Sequence, residues 1–225
     1  MFEAVILAGG QGTRLKSVTG NLPKPMVEVN GDPFLYILMR RLVDNGCSKI
    51  ILSLCYQADY IIERIKKDKP VDCDIDFVVE EFPLGTGGAI KLASLGIRKN
   101  KFLVLNGDTL SKVNYLSLMD FSNDTDLVIS GVYVADVSRY GTLIVDKLNN
   151  VLSMLEKGVN GPGIINSGIY VIKTDLIKNF PLSSFSFEND FVKDFNGSFK
   201  AFVSNGYFID IGIPEDYYKA CQTIK

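Results

Sequence analysis

The chain has 225 residues, 47% hydrophobic and 22% charged, with a formal net charge of −2 at pH 7. That length supports one large domain with a proper core, and the charge gives no overall pull toward nucleic acid or an anionic membrane. The chain contains no histidine, which excludes His-dependent triads, His–zinc sites and the usual general base near neutral pH. Cys47, Cys55, Cys73 and Cys221 show neither C-x-x-C pairing nor zinc spacing, so reduced thiols in a cytoplasmic setting are expected. The apolar run Ala4–Ala8 is too short for a signal peptide or a membrane span.

In chain order, Ala4–Leu7 reads as a strand that empties into Gly9, Gly10 and Gly12. Those glycines allow a sharp turn and let a ligand reach main-chain N–H groups. Thr13 and Arg14 add a hydroxyl and a fixed cation, and Lys24 adds a second cation between two prolines that stiffen the segment. The combination predicts a polyphosphate site. It is neither the dinucleotide fingerprint, whose third glycine is replaced by Leu15, nor a Walker loop, whose Gly-Lys-Ser/Thr slot holds Arg14 and Leu15.

A helix is predicted over Phe34–Val43, with Asp32 as N-cap, Pro33 in the first turn and Gly46 as the stop. Strands at Lys49–Leu54, Ile75–Val79 and Phe102–Leu105 alternate with helices at Tyr60–Lys67, burying Ile61, Ile62 and Ile65, and at Gly88–Ser94. This alternation predicts an α/β, Rossmann-like, mostly parallel central sheet with helices on both faces. Ligands then lie beyond the carboxyl ends of the strands. Leu127–Val134, Thr142–Val145, Val151–Leu155 and Gly163–Ile172 follow as a mixed or antiparallel region forming a lid for a second substrate. Asn205-Gly206 marks a turn before Tyr207–Asp210, and Pro214 opens a last helix. One domain over residues 1–225 is expected.

The segment Leu-Ala-Gly-Gly-Gln-Gly-Thr-Arg-Leu at 7–15 with Pro23-Lys24-Pro25 resembles the signature of the sugar nucleotidyltransferases. Most of the chain carries the resemblance in order, through Pro83–Ala89, Asn106-Gly107-Asp108, Tyr140-Gly141, Glu156-Lys157, Asn166–Tyr170 and Asp210. It implies a nucleotidyltransferase, GT-A-like fold and in-line transfer of a nucleoside monophosphate from a triphosphate to a sugar 1-phosphate. It also implies a nucleotide site of Leu7, Ala8, Gly9, Gly10, Gly12, Thr13, Arg14 and Lys24. Glu80, Pro83, Gly85, Thr86 and Gly107 complete that site around the base, and either Glu80 or Glu81 would accept guanine's N–H donors. Asp108 and Asp210 become ligands to Mg²⁺. Gly141, Glu156, Lys157 and Asn166 become the sugar-phosphate site, with Lys157 on the phosphate. Arg14 and Lys24 would be the catalytic cations.

That chemistry suits a chain without histidine. A phosphate dianion is already a nucleophile, and the obstacle is repulsion, roughly 4 kcal/mol for unit charges about 4 Å apart at an effective dielectric near 20. Cations that cancel it and stabilise the transferring group are what the reaction needs. Pro83–Ala89, Phe185–Glu188 and Phe208–Tyr218 resemble, within the superfamily, the D-glycero-α-D-manno-heptose 1-phosphate guanylyltransferases, which implies GTP as donor. Mannose 1-phosphate guanylyltransferases and UTP-dependent N-acetylmuramate or hexose 1-phosphate uridylyltransferases share much of the pattern. No C-terminal left-handed β-helix of the kind that bifunctional relatives carry is expected, and a homo-oligomer is left open. A catalytically silent subunit would usually have lost the cations or the carboxylates, all four of which are present here.

Overall fold

A computed structural model describes residues 1–224. Strand β1 (Phe2–Leu7) leads into a 3₁₀ turn at Thr13–Leu15, the short helix α1 (Lys16–Thr19) and a second 3₁₀ turn at Lys24–Met26. A hairpin of β2 (Glu28–Val29) and β3 (Asp32–Pro33) precedes α2 (Phe34–Asp44), β4 (Cys47–Leu54), α3 (Ala58–Asp68), β5 (Asp74–Val79) and α4 (Gly85–Ser94). Then come β6 (Lys101–Asn106), β7 (Thr109–Ser111), α5 (Tyr115–Phe121), β8 (Leu127–Val134), β9 (Thr142–Val145) and β10 (Val151–Leu155). The chain continues through β11 (Gly163–Lys173), α6 (Thr174–Lys178), a π-helical turn at Phe187–Val192, β12 (Phe199–Ser204), β13 (Phe208–Asp210) and α7 (Pro214–Thr223).

Nine strands form one sheet. Its path runs β10-β9-β11-β6-β1-β4-β5, with β8 joining β11 to β12. Strands β6, β1, β4 and β5 run parallel, whereas β11 pairs antiparallel with β6, β8 and β9. The parallel half is therefore built as an α/β core, and the antiparallel half extends the same sheet.

Alternation along the central strands explains the two-sided core. Ala4 and Ile6 of β1 and Leu103 and Leu105 of β6 pack on one face, with α2 and α3. Val5, Phe102 and Val104 pack on the other, with α4 and the phenylalanines of the π-turn. Each face buries whole aromatic and branched side chains, worth about 1.5–3 kcal/mol apiece.

Three local expectations change. Helix α2 is not capped by Asp32, which sits in β3 and receives two hydrogen bonds from Arg40, both 2.8 Å. Pro33 takes the N-cap position, because pairing of β2 with β3 holds residue 32 in extended backbone. On α3, Ile61 and Ile65 are buried but Ile62 is only half-buried, being the residue at the boundary of the apolar stripe. Helix α4 starts at Gly85 rather than Gly88, since contacts from residue 185 extend its first turn.

No helix among the described residues is long and apolar enough to cross a membrane. All four cysteines are free thiols.

Candidate active site

Two clefts open side by side at the carboxyl ends of the parallel strands. The first, about 780 Å³, is walled by the end of β1, the start of the glycine loop, the end of β4 and the loop into α4. Of the residues expected at the nucleotide, Leu7, Ala8, Gly9, Gly10, Lys24, Glu80, Pro83, Gly85, Thr86 and Gly107 line it, together with Asp108. The N–H groups of Gly10 and Gln11 donate to no acceptor among the described residues, which leaves them open to phosphate oxygens.

Gly12, Thr13 and Arg14 do not line that cleft. Thr13 and Arg14 are exposed on their 3₁₀ turn. Gly12 has φ +62°, and a Cβ there would lie 2.6 Å from Lys24 Cβ. This glycine therefore serves packing over Lys24 as well as turning the chain. The end of β4 contributes Ser53, Cys55 and Tyr56 to the cleft. Sequence reasoning missed them, although the rule that ligands lie beyond strand carboxyl ends points to the strand next to β1.

Lys24 Nζ makes an ion pair with Asp108 Oδ2 at 2.5 Å, and the lysine is 7% exposed. Asp108 follows β6 in a turn, and its carbonyl accepts from Ile211 N–H at 2.9 Å. The antiparallel pair of β7 and β13 sets Asp210 opposite Thr109, which carries Asp210 from the far end of the sequence to Asp108. Gly212 N–H donates to Asp210 Oδ1 at 2.7 Å. Burial, and then the Asp108 charge, push the Asp210 carboxyl above its ordinary range, against the pull of Lys24, Gly212 and Arg14. Arg14 thus reaches Asp210 through its field, from outside the first cleft.

The base-side expectation divides. Glu80 is 9% exposed and lines the cleft, with Oε2 accepting from Leu84 N–H at 3.0 Å and Oε1 from Ser53 Oγ at 3.4 Å. Glu81 is exposed and outside the cleft lining, so of the two only Glu80 faces the cleft. The loop is fastened from behind: Gly87 N–H donates to Phe185 O at 2.9 Å and Phe187 N–H to Thr86 Oγ1 at 2.9 Å.

The second cleft, about 820 Å³, is lined by Gly141, Glu156, Lys157 and Asn166, and by Asp210 at one end. Asn106 lines both clefts. Glu156 and Lys157 are exposed beyond β10. Asn166 lies beside an irregularity in the β11–β8 pairing. There Gly168, at φ +70°, approaches Asn106 so closely that a Cβ would meet its amide at 2.5 Å. Tyr170 is buried, and its hydroxyl is held well above the usual phenol range by burial and by Glu188. It remains a donor to Glu188 Oε1, at 2.6 Å.

The nucleotidyl transferase family pattern matches residues 3–225. The chain is 39% identical over 218 residues to the D-glycero-alpha-D-manno-heptose 1-phosphate guanylyltransferase of Campylobacter jejuni, spanning 96% of this chain and 97% of that protein. It is equally 39% identical to the enzyme of the same name from Aneurinibacillus thermoaerophilus, over 99% of this chain and 98% of that one. Among solved structures, HddC from Yersinia pseudotuberculosis superposes with TM-score 0.95 at 56% identity over the full length of both chains. The same protein complexed with GMP-PN gives 0.94.

Proposed function

This chain belongs to the nucleotidyl transferase family, and we propose that it transfers GMP from GTP to D-glycero-α-D-manno-heptose 1-phosphate, releasing pyrophosphate and GDP-heptose. One observation carries the reading. Two clefts share the wall at Asn106, and Asp108 on one side meets Asp210 on the other beside Lys24. A triphosphate in the first cleft and a sugar phosphate in the second would meet at that junction. The names of the Campylobacter and Aneurinibacillus relatives and the GMP-PN complex of the Yersinia neighbour support the choice of base and sugar.

In this reading an oxygen of the sugar phosphate attacks the α-phosphorus from the second cleft. The bond between the α-phosphorus and the bridging oxygen breaks, and pyrophosphate leaves. Lys24 and Arg14 offset the repulsion between the two anions and stabilise charge on the transferring group. The glycine loop offers N–H groups to the triphosphate, and Lys157 holds the sugar phosphate. No side chain has to take a proton from the nucleophile.

The carboxylates fit a hard divalent cation. The Asp108 charge helps to raise the Asp210 carboxyl, a repulsion between the two carboxylates that a cation held by both would relieve. Two aspartates with space for phosphate oxygens and waters suit Mg²⁺. When bound by Asp108 and Asp210, Mg²⁺ would neutralise phosphate charge during transfer. The absence of any disulfide among the described residues accords with a cytoplasmic enzyme.

Pyrophosphate release from GTP, UTP, CTP and dTTP, each with manno-configured heptose, mannose and glucose 1-phosphates, tests the reading. The highest kcat/KM is expected for GTP with the heptose. A UTP preference would move the protein to the uridylyltransferase branch.

A further inference from the structure

The strongest unassigned feature is a closed hydrogen-bond triangle on the sugar side. Glu188 Oε1 accepts from Tyr170 OH at 2.6 Å and from Asn166 Nδ2 at 2.6 Å. Asn166 Nδ2 also donates to Tyr170 OH at 2.7 Å, and Asn166 Oδ1 accepts from Gly168 N–H at 2.8 Å. The amide hydrogens of Asn166 are thereby used, so it holds Glu188 rather than keeping free donors for a ligand. Tyr170 is 2% exposed and anchors the triangle from inside the core. Glu188 itself is exposed and lines the cleft. Its Oε2 accepts from no group of the chain among the described residues. The π-helical turn that carries it packs Phe187 edge-on against Tyr170, centroids 5.0 Å apart, and stacks Phe187 on Phe191. π-helical turns of this kind occur frequently at functional sites.

An oriented carboxylate with one free oxygen can only accept hydrogen bonds. Neutral hydroxyls satisfy it. A ligand carboxylate brought to the free oxygen of Glu188 would face a like charge at hydrogen-bond distance, closer than the other charges that line the cleft, Glu156, Asp210, Lys157 and Lys193, need come. We propose that Glu188 determines sugar specificity by accepting hydrogen bonds from acceptor hydroxyls, so that the site takes neutral polyhydroxylated sugar 1-phosphates and rejects those bearing a carboxylate. Tyr170 and Asn166 are positioning residues that act through it. The inference deepens the sugar 1-phosphate reading and rests on it.

The test is pyrophosphate release from GTP with a manno-configured heptose 1-phosphate and with mannuronic acid 1-phosphate. It uses the wild type, Glu188→Gln and Tyr170→Phe. Glu188→Gln keeps the shape and removes the charge. It is expected to raise KM for the heptose about tenfold, with kcat and the GTP KM within about threefold. It should also cut the neutral-to-acidic ratio of kcat/KM by about tenfold or more. Tyr170→Phe should raise the heptose KM while keeping the discrimination against the acid, because the charge remains. A wild type active on the heptose combined with an unmoved KM or an unmoved ratio in Glu188→Gln overturns the role of Glu188 alone. Equal losses of kcat and of both substrates' binding, with a lowered melting temperature, would make the triangle structural and likewise overturn it. A wild type inactive with every sugar 1-phosphate overturns the acceptor reading itself.

Discussion

Lys24 Nζ lies 2.5 Å from Asp108 Oδ2, tying the proline-flanked segment after the glycine loop to the turn after β6. The contact places an ammonium where the two clefts meet, with Asp210 also within its field. Truncating the lysine would leave the two carboxylates facing each other without it, and would leave the transferring phosphoryl group less stabilised. Lys24→Ala is therefore expected to lower kcat about 100-fold or more, with a change in GTP KM below about tenfold. Steady-state kinetics at saturating Mg²⁺ would check this. A variant with near-normal kcat and a large rise in GTP KM would make Lys24 a ground-state binding group only.

Asp210 gives a pH-dependent stability with a definite sign. Its folded carboxyl binds a proton more tightly than an unfolded aspartate, because of burial and the Asp108 charge. Stability is therefore lost as pH rises from the ordinary aspartate range through the raised folded value. At neutral pH in excess chelator, Asp210→Asn should melt higher than the wild type, by about 2–4 °C, while losing turnover. The difference should vanish below the ordinary aspartate range, where the wild-type carboxyl is protonated in both states. Melting curves over that range, with and without Mg²⁺, read it directly. A variant that melts lower than the wild type at neutral pH would contradict the burial and the Asp108 repulsion at Asp210 that a bound cation would relieve.

Lys157 is exposed and lines the sugar-side cleft, so its removal should not disturb the fold. Lys157→Ala is expected to raise KM for the sugar phosphate about tenfold, without altering the KM for GTP. Reversal of that pattern would move Lys157 to the nucleotide.

Much of the fold was legible because its signals are local. The strands Leu127–Val134, Thr142–Val145 and Val151–Leu155 have the bounds read from the sequence, since apolar runs between turn residues mark both ends. Asp32 misled because its side chain has two possible partners. The residue type favours a cap, but Arg40 about two turns along the helix offers a bidentate ion pair. What the sequence concealed was pairing at a distance. Nothing near Thr109 announces that β7 will pair with β13, and that pairing brings Asp210 to Asp108. Nor does Phe185 announce that it fastens the loop at Gly87. The role of Glu188 is not local either, since its orientation depends on Tyr170 and Asn166 two elements away.

Gly87 makes that fastening testable. A Cβ there would lie 2.2 Å from the Phe185 ring, which is buried in a core cluster. Gly87→Ala should cost about 1–3 kcal/mol of stability. It should also raise KM for both substrates, since Phe185 lies between the base loop and the turn bearing Glu188. Denaturant unfolding and initial rates measure the two effects. A lower stability with both KM values unchanged would show that the fastening does not position the site.

The base is the finest distinction, and Glu80 is the residue to probe. It is buried at the wall of the nucleotide cleft, and its Oε2 is held by Leu84 N–H at 3.0 Å. Its position is fixed, yet each carboxylate oxygen can accept more than one hydrogen bond. Guanine presents two adjacent N–H donors, at N1 and the 2-amino group. Inosine triphosphate lacks the 2-amino group and keeps the rest. If Glu80 accepts from both donors, wild-type kcat/KM should favour GTP over ITP by about tenfold to a hundredfold, matching about 1.5–3 kcal/mol for a hydrogen bond to a charged group. UTP should fall lower still, because uracil has a single ring N–H with no amino group beside it and leaves the purine space unfilled. Glu80→Gln replaces one acceptor oxygen by a donor and should shrink the GTP-to-ITP ratio toward unity. It should leave KM for the sugar phosphate unchanged, since Glu80 does not line that cleft. A ratio unaffected by Glu80→Gln would assign the 2-amino group to backbone carbonyls of the 83–89 loop and reduce Glu80 to a prop for Leu84.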